Sequence, residues 1–214
     1  MLEYRKVKSH AGMMLMGDYS TLTALHELIH KVAGASGLLR EPSHGEFLLG
    51  LAYDVRKAFE RQREVIDPPK HMPETGQSYG VKVLWPTFLL QVRLLREAMG
   101  FCPTDERDQG LTYLLEAAAR AGMEADIGAS DVVMQWLRLS CNPPSIADLA
   151  NSRTGIFLSW DSHERKRGLS QILASFDPMF EFWFAQDPSA WRSGISPASF
   201  AMADRWADFP DPRW

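Results

Sequence analysis

The chain has 214 residues, of which 45% are hydrophobic and 23% charged, and its formal net charge at pH 7 is −4. This composition is typical of a globular protein with a sizeable core, and the mild negative charge argues against a protein that holds nucleic acid mainly by neutralising phosphates. No apolar run approaches the ~18 residues needed to cross a bilayer. The first residues, "MLEYRKVKSHAG", lack the apolar core of a signal peptide, so we expect a cytoplasmic protein with neither a membrane nor a nucleic-acid partner.

The first hundred residues predict a small antiparallel sheet packed on helices. "LEYRKVK" and "GMMLMGDY" are strand candidates that form a hairpin through "SHAG". Ser20 or Asp18 can cap a helix through "TLTALHELIHKVAG", whose apolar residues recur at helical spacing. Ser43 can cap a second helix, "HGEFLLGLAYDVRKAFERQREVI". "YGVKVLWP" predicts a third strand near residues 79–85, closed by Pro86 and followed by a helix.

From residue 104 onwards the pattern is almost wholly helical. The predicted helices are "TDERDQGLTYLLEAAARAG", "SDVVMQWLRLS", "PSIADLAN" and "RKRGLSQILASF", the last with Asp161 or Ser162 as its cap. Pro143–Pro144 predicts a seam, because proline stops one helix and can start another. We therefore expect an α+β, predominantly helical fold. It divides into an α+β core domain over 1–140 and a helical extension over 141–214, unless the two form one compact domain.

The last stretch, from Gln186, combines Pro, Gly and Ser with many aromatic residues. Each buried aromatic ring removes roughly 150–250 Å² from water, so a solvated tail would not be expected to carry so many. We predict that this tail docks on its own domain or on a partner. The candidate partner-binding residues are Trp191, Trp206, Phe209 and Trp214.

One motif raises a question of metal chemistry. His26-Glu27-Leu28-Ile29-His30 has the H-E-x-x-H pattern, in which two histidines one helical turn apart can bind one Zn²⁺ and the glutamate can act as general base. A third ligand must come from elsewhere, and His44 on the second predicted helix is a candidate. The same spacing also suits two hydrogen-bonded histidines at the edge of the apolar stripe of the helix, and both interpretations remain open at this point.

The segment 26–47 resembles the metal-binding segment of the SprT-like zinc peptidases, in which H-E-x-x-H is followed by a loop and H-G-x-x-F. The resemblance implies that His26, His30 and His44 bind zinc and that Glu27 activates water. The chain departs from that family in two respects. A single predicted hairpin precedes the motif helix where the family has a larger sheet region, and no cysteine-rich zinc ribbon follows.

A second resemblance covers residues 1 to about 100. "MMLMGDYSTLTALHELIHKV", "LLGLAYDVRKAFERQREV" and "YGVKVLWPTFLLQVRLL" are similar to a bacterial domain family of unknown function. That family has a G-D-Y turn before the first helix, a Y-D-x-R helix and a strand that ends in L-W-P. Its residues at the positions of His26 and Glu27 are commonly aromatic and Asp, which implies that the zinc pattern here is accidental. The resemblance implies no activity.

These observations favour a cytoplasmic bacterial protein that binds a protein partner without catalysis and without a cofactor, as immunity or assembly proteins do. The motivation is the aromatic C-terminal stretch, together with the lack of a catalytic motif in a recognised context. The alternative is a zinc-dependent hydrolase of the metallopeptidase type, with the three histidines as ligands and Glu27 as the base.

Overall fold

The computed structural model describes residues 1–128, 130–141, 146–202 and 214. Within these residues the fold is α+β and predominantly helical, as the sequence predicts. The strands are β1 (Leu2–Lys6), β2 (Gly12–Gly17), β3 (Glu64–Ile66) and β4 (Ser78–Leu84). The helices are α1 (Tyr19–Ala35), α2 (Pro42–Phe59), α3 (Trp85–Met99), α4 (Glu106–Asp126), α5 (Ser130–Arg138), α6 (Ile146–Ser159), α7 (Ser162–Ala174), α8 (Phe180–Gln186) and α9 (Pro197–Met202). None of the described helices combines the length and the apolar character that a membrane span requires.

The strands form one antiparallel sheet in the order β1-β2-β4-β3. The predicted hairpin and third strand are confirmed, since Leu2 pairs with Gly17 across β1 and β2 and Gly12 pairs with Leu84 across β2 and β4. Every residue of β2 is buried. This is the expected environment for a central strand whose sequence, "GMMLMG", is apolar throughout.

The fourth strand, β3, replaces the end of the predicted second helix, so this part of the prediction is wrong. α2 ends at Phe59, and Arg61 adopts a φ of 62°, in the left-handed region that stops a helix and turns the chain. Val65 then pairs with Tyr79 at the edge of the sheet. The β-branched side chain of Val65 favours this extended conformation once the helix has ended.

The helix starts show which polar residues act as caps. Asp18, one of the two predicted candidates, caps α1 by accepting the backbone N–H of Thr21 at 2.8 Å. The predicted cap of α2, Ser43, is wrong, because that helix already begins at Pro42, where the fixed φ of proline suits the first helical position. The predicted cap Asp161 is confirmed at α7, where it forms a capping box with Glu164.

Two helices were not predicted from the sequence pattern: α8, which leads into the aromatic C-terminal stretch, and α9, which lies within it. Both are too short to show a helical repeat of apolar residues. Part of the stretch docks on its own chain, since the Trp191 and Phe200 rings have their centroids 4.8 and 5.6 Å from that of Phe180. Trp206 and Phe209 lie outside the described residues.

Buried apolar side chains from α1 to α9 and from the sheet form one continuous cluster. Contacts between α3 and α6 join the first part of the chain to the second, and the hydroxyls of Thr87 and Thr154 lie 3.0 Å apart there. The predicted seam at Pro143–Pro144 is outside the described residues. The division into 1–140 and 141–214 therefore stays a prediction.

Candidate functional site

The two histidines of the H-E-x-x-H motif are neighbours on α1, with ring centroids 4.4 Å apart. His26 is half-buried and packs edge-on against Phe59 of α2, at 5.8 Å between centroids, whereas His30 and Glu27 are exposed. Burial, followed by the neighbouring His30 and Arg56, lowers the pKa of His26 below its ordinary value. The neutral imidazole is also the form that ligates metals. The His26–His30 pair alone therefore does not distinguish a metal site from two packed histidines.

The third predicted ligand, His44, is not brought to this pair. It is buried in the first turn of α2, where the neighbouring Gly45 approaches the backbone of Ala33 at the end of α1. His26 instead contacts Phe59, which lies fifteen residues further along α2, a helical rise of about 22 Å. Among the described residues no group of three or more His, Cys, Asp or Glu side chains could hold a metal ion. The described side chains therefore do not form a three-histidine cluster, and zinc binding by this motif stays a prediction.

A further histidine, His10, takes part in a partly buried network at the turn between β1 and β2. The Asp126 carboxylate, 2% exposed, accepts the Trp85 indole N–H at 3.0 Å and lies 2.9 Å from His10 Nδ1. This arrangement ties the turn between β1 and β2 to the ends of α3 and α4. These three polar side chains form hydrogen bonds with one another, which indicates a structural role.

A cavity of about 520 Å³ lies between α6, α8, α9 and the segment that joins α7 to α8. This volume is in the range of small-molecule sites. Its buried wall combines aromatic side chains with Arg153, the one cationic side chain among the described residues that line it. Exposed acidic side chains lie around its mouth, namely Asp148, Asp177 and Glu181.

Arg153 is only 7% exposed, and few of its donors have acceptors. Nη1 donates to Ser152 Oγ at 2.9 Å and Nη2 donates to the Ser175 carbonyl at 3.1 Å, while Nε has no hydrogen-bond partner among the described residues. A guanidinium carries five N–H donors. None of the ion pairs between described residues includes Arg153. The cation therefore keeps donor capacity beyond its two hydrogen bonds.

Aromatic rings surround this guanidinium. Its central carbon lies 4.0 Å from the centroid of Phe200 and 5.8–5.9 Å from those of Phe176 and Phe180. Burial lowers the pKa of Arg153 to about 10, and the more distant Glu181 opposes that effect. Arg153 is charged at neutral pH, so it places a poorly solvated positive charge at the aromatic wall of the cavity.

Arg153 was not among the predicted site residues, although the sequence contains a signal for it. In α6 the buried positions Ile146, Ala150 and Phe157 recur at helical spacing, and Arg153 occupies the same face between Ala150 and Phe157. A charged residue in the apolar stripe of a helix is a departure from the pattern that needs an explanation. The helix itself was predicted only over "PSIADLAN", which stops short of this position.

A second candidate site is the exposed surface of α8, defined by Met179, Phe182 and Trp183. These side chains are 50%, 48% and 51% exposed, whereas Phe180 on the opposite face is 3% exposed. The rings of Phe182 and Trp183 pack edge to face, with centroids 5.0 Å apart. Exposed aromatic residues in a cluster are typical of binding surfaces.

Trp183 also borders a groove of about 450 Å³ between α5, α7 and α8, which Trp191 lines as well. The charged side chains of this groove are the acidic Asp131 and Asp187, and no Lys or Arg lines it within the described part of the chain. Hydrogen bonds from Ser189 hold the pKa of Asp187 below its ordinary value, so this carboxylate stays ionised. The groove therefore combines an aromatic wall with negative charge.

The other predicted partner-binding residue within the described chain, Trp214, lies at a different place. It is 38% exposed, and the Lys82 ammonium is 5.9 Å from its ring centroid. Together with Asp54 and Arg63 it lines a pocket of about 330 Å³ beside β4. Trp191 and Trp214 thus belong to separate surfaces.

The fold and these sites define a predominantly helical α+β protein with a buried cationic cavity and an exposed aromatic surface. The chain belongs to the family described as Domain of unknown function (DUF6904), whose model matches residues 2–209. The predicted resemblance to a family of unknown function is confirmed, and the match extends beyond the first hundred residues to nearly the whole chain. No curated protein and no solved structure matches the chain significantly.

Proposed function

We propose that this protein acts by binding a protein partner, without catalysis, and that the α8 surface and the adjoining groove form the interface. The single observation that carries the proposal is the exposure of Phe182 and Trp183, each about half exposed, on a helix whose other face is buried. Burying two such rings would remove a large apolar area from water, which is the main source of binding free energy at interfaces.

The negative charges next to the α8 surface favour a partner with positive charge. Asp131 and Asp187 line the groove, Asp177 and Glu181 are exposed near α8, and the whole chain has a net charge of −4. A complementary partner presents Lys or Arg side chains beside an apolar side chain that enters the groove. Charge complementarity of this type increases the rate of association and decreases with salt.

Site-specific photo-crosslinking tests this proposal. A photoreactive residue at position 183 is expected to crosslink a basic protein, and the purified partner is then titrated against defined variants. Trp183→Ala should weaken binding by at least about tenfold, because aromatic residues at interface centres dominate the affinity. Asp131→Asn combined with Asp187→Asn should slow association at low salt.

Tyr113→Ala is the matched control, since Tyr113 is an aromatic residue on α4 that is 62% exposed. It should leave the affinity unchanged. A partner that binds the Trp183→Ala variant as tightly as the native chain, or no specific crosslink from position 183, would contradict the assignment of this surface.

The alternative function, zinc-dependent hydrolysis, is supported by one observation, the adjacent rings of His26 and His30. Glu27 would be the base, and a further ligand would have to come from outside the described histidine pair. Metal analysis of protein purified without a histidine tag tests it. Near-stoichiometric zinc that is lost in His26→Ala and kept in Glu27→Gln would support it, and the absence of zinc after supplementation would refute it.

A further inference from the structure

We infer that the Arg153 cavity is a binding site for a small organic carboxylate with an apolar, preferably aromatic, body and a cationic group at its far end. This inference does not depend on the proposed protein partner. The cavity and the α8 surface share the nearby carboxylates Asp177 and Glu181, but their tests change different residues, so the two can fail separately.

The surroundings of Arg153 indicate that the ligand carries a carboxylate. The side chain is buried, donates only two hydrogen bonds to described residues and is absent from their ion pairs. A carboxylate is the planar acceptor that matches the fork of a guanidinium, and its pairing with a buried guanidinium is stronger than with one on the surface. A buried cation without such a partner is costly to the fold, which is expected where the charge serves a ligand.

A comparison with the other buried arginine supports this assignment. Arg165 is also 7% exposed, but its guanidinium donates to the backbone carbonyls of Ser9, Phe157 and Leu158. Those contacts connect α7 with α6 and with the turn before β2, which is a structural role. Arg153 instead lines a cavity of about 520 Å³.

The apolar body and the distal cation are assigned from the rest of the wall. Phe176, Phe180 and Phe200 line the cavity and are buried, so they offer ring faces and edges to an apolar ligand. Asp148, Asp177 and Glu181 line the same cavity but are exposed, so they lie where a ligand would leave it. A ligand whose carboxylate lies inside the cavity can pair with Arg153, and a cationic group at its other end can pair with the exposed carboxylates at the mouth.

Three related compounds test the inference by calorimetric titration of the full chain. 4-Methylbenzoate carries the carboxylate and the ring, 4-(aminomethyl)benzoate adds the distal ammonium, and 4-methylbenzylamine has the ammonium without the carboxylate. Both carboxylates should bind. The zwitterion should bind about two- to fivefold more tightly, because its ammonium pairs with partly exposed carboxylates. The amine alone should not bind measurably.

Two variants connect binding to the site. Arg153→Gln should weaken both carboxylates by about tenfold or more, as expected for the loss of charge-assisted hydrogen bonds. Because Arg153→Gln alters a buried side chain that also holds the fold together, Ala201→Trp provides a second test. Ala201 is exposed on α9 and lines the cavity, so a bulky ring there should block entry. Ala198→Trp, at an exposed position of the same helix that does not line the cavity, is its control.

Binding of the carboxylates that is lost in Arg153→Gln and Ala201→Trp but kept in Ala198→Trp is the expected result. The inference is overturned if neither carboxylate binds the native chain at millimolar concentration. It is also overturned if 4-methylbenzylamine binds as well as the carboxylates, or if binding is the same in Ala201→Trp and Ala198→Trp.

Discussion

At the scale of single residues, the side chains that surround a candidate site residue decide what that residue can bind. His26 and His30 satisfy a catalytic spacing, yet His26 packs against Phe59 and not against the third predicted ligand. Arg153 belongs to no motif, yet it is a buried cation in the wall of a cavity of about 520 Å³. Spacing along one helix decides which side chains share a face, but it does not decide what lies opposite that face.

Asp54 is a residue whose charge should affect stability in a pH-dependent way. Burial raises its pKa, and Arg63 opposes that effect only in part. The folded state therefore holds the proton more strongly than the unfolded state, so this group favours folding at low pH and costs stability as pH rises through its folded pKa. We predict that Asp54→Asn raises the midpoint of thermal unfolding at pH 7.

The native chain and the Asp54→Asn variant, compared at low pH, provide the control for this prediction. Near pH 3, below the ordinary pKa of aspartate, both forms of position 54 are neutral, and the gain of the variant over the native chain should be smaller than at pH 7. Thermal unfolding followed by circular dichroism over this range measures the difference. A gain that is equal at both pH values would show that the burial of Asp54 is not electrostatically costly.

At the scale of elements, helix and strand starts were predictable where a local interaction determines them. The Asp18 cap and the Asp161–Glu164 capping box each satisfy backbone donors within a few residues of the cap. β3 was not predictable in this way, because its pairing with β4 crosses the loop between the two strands and is not made between near neighbours. The helical pattern of α2 continues in the sequence beyond Phe59. It therefore gives no sign that the helix ends there and that the chain reverses at Arg61.

The packing of α4 on the sheet leads to a second prediction, which compares two glycines of the same helix. A Cβ at Gly122 would lie 2.6 Å from Met13 Sδ and 3.1 Å from the Trp85 ring, both of them buried. Gly122→Ala should therefore lower the free energy of unfolding by about 1–3 kcal/mol through overpacking.

Gly110→Ala is the matched control, since a Cβ there has no atom within 4 Å. It should raise the free energy of unfolding by up to about 1 kcal/mol, because alanine is the better helix former. Urea unfolding of both variants measures the two changes. If both substitutions have the same sign, the contact between α4 and the sheet is looser than the structure shows.

At the scale of the whole molecule, the two parts of the chain on either side of Pro143–Pro144 share buried contacts. We predict that they unfold together, because the apolar cluster includes residues of the sheet, of α3 and of α6 to α9. Urea unfolding followed by circular dichroism and by tryptophan fluorescence should then give coincident single transitions. Two separate transitions would instead support independent domains over 1–140 and 141–214.

The helical α+β class, the hairpin, the main helices and two of their caps could be read from the sequence, because they depend on side-chain periodicity and on hydrogen bonds between near neighbours. The fold was needed to show that His44 lies away from His26, that residues 64–66 form a strand, and that Arg153 lies among aromatic rings. Each of these facts depends on contacts between different elements, for example between Arg153 of α6 and Phe200 of α9. A local pattern contains no information about such contacts until the elements are packed.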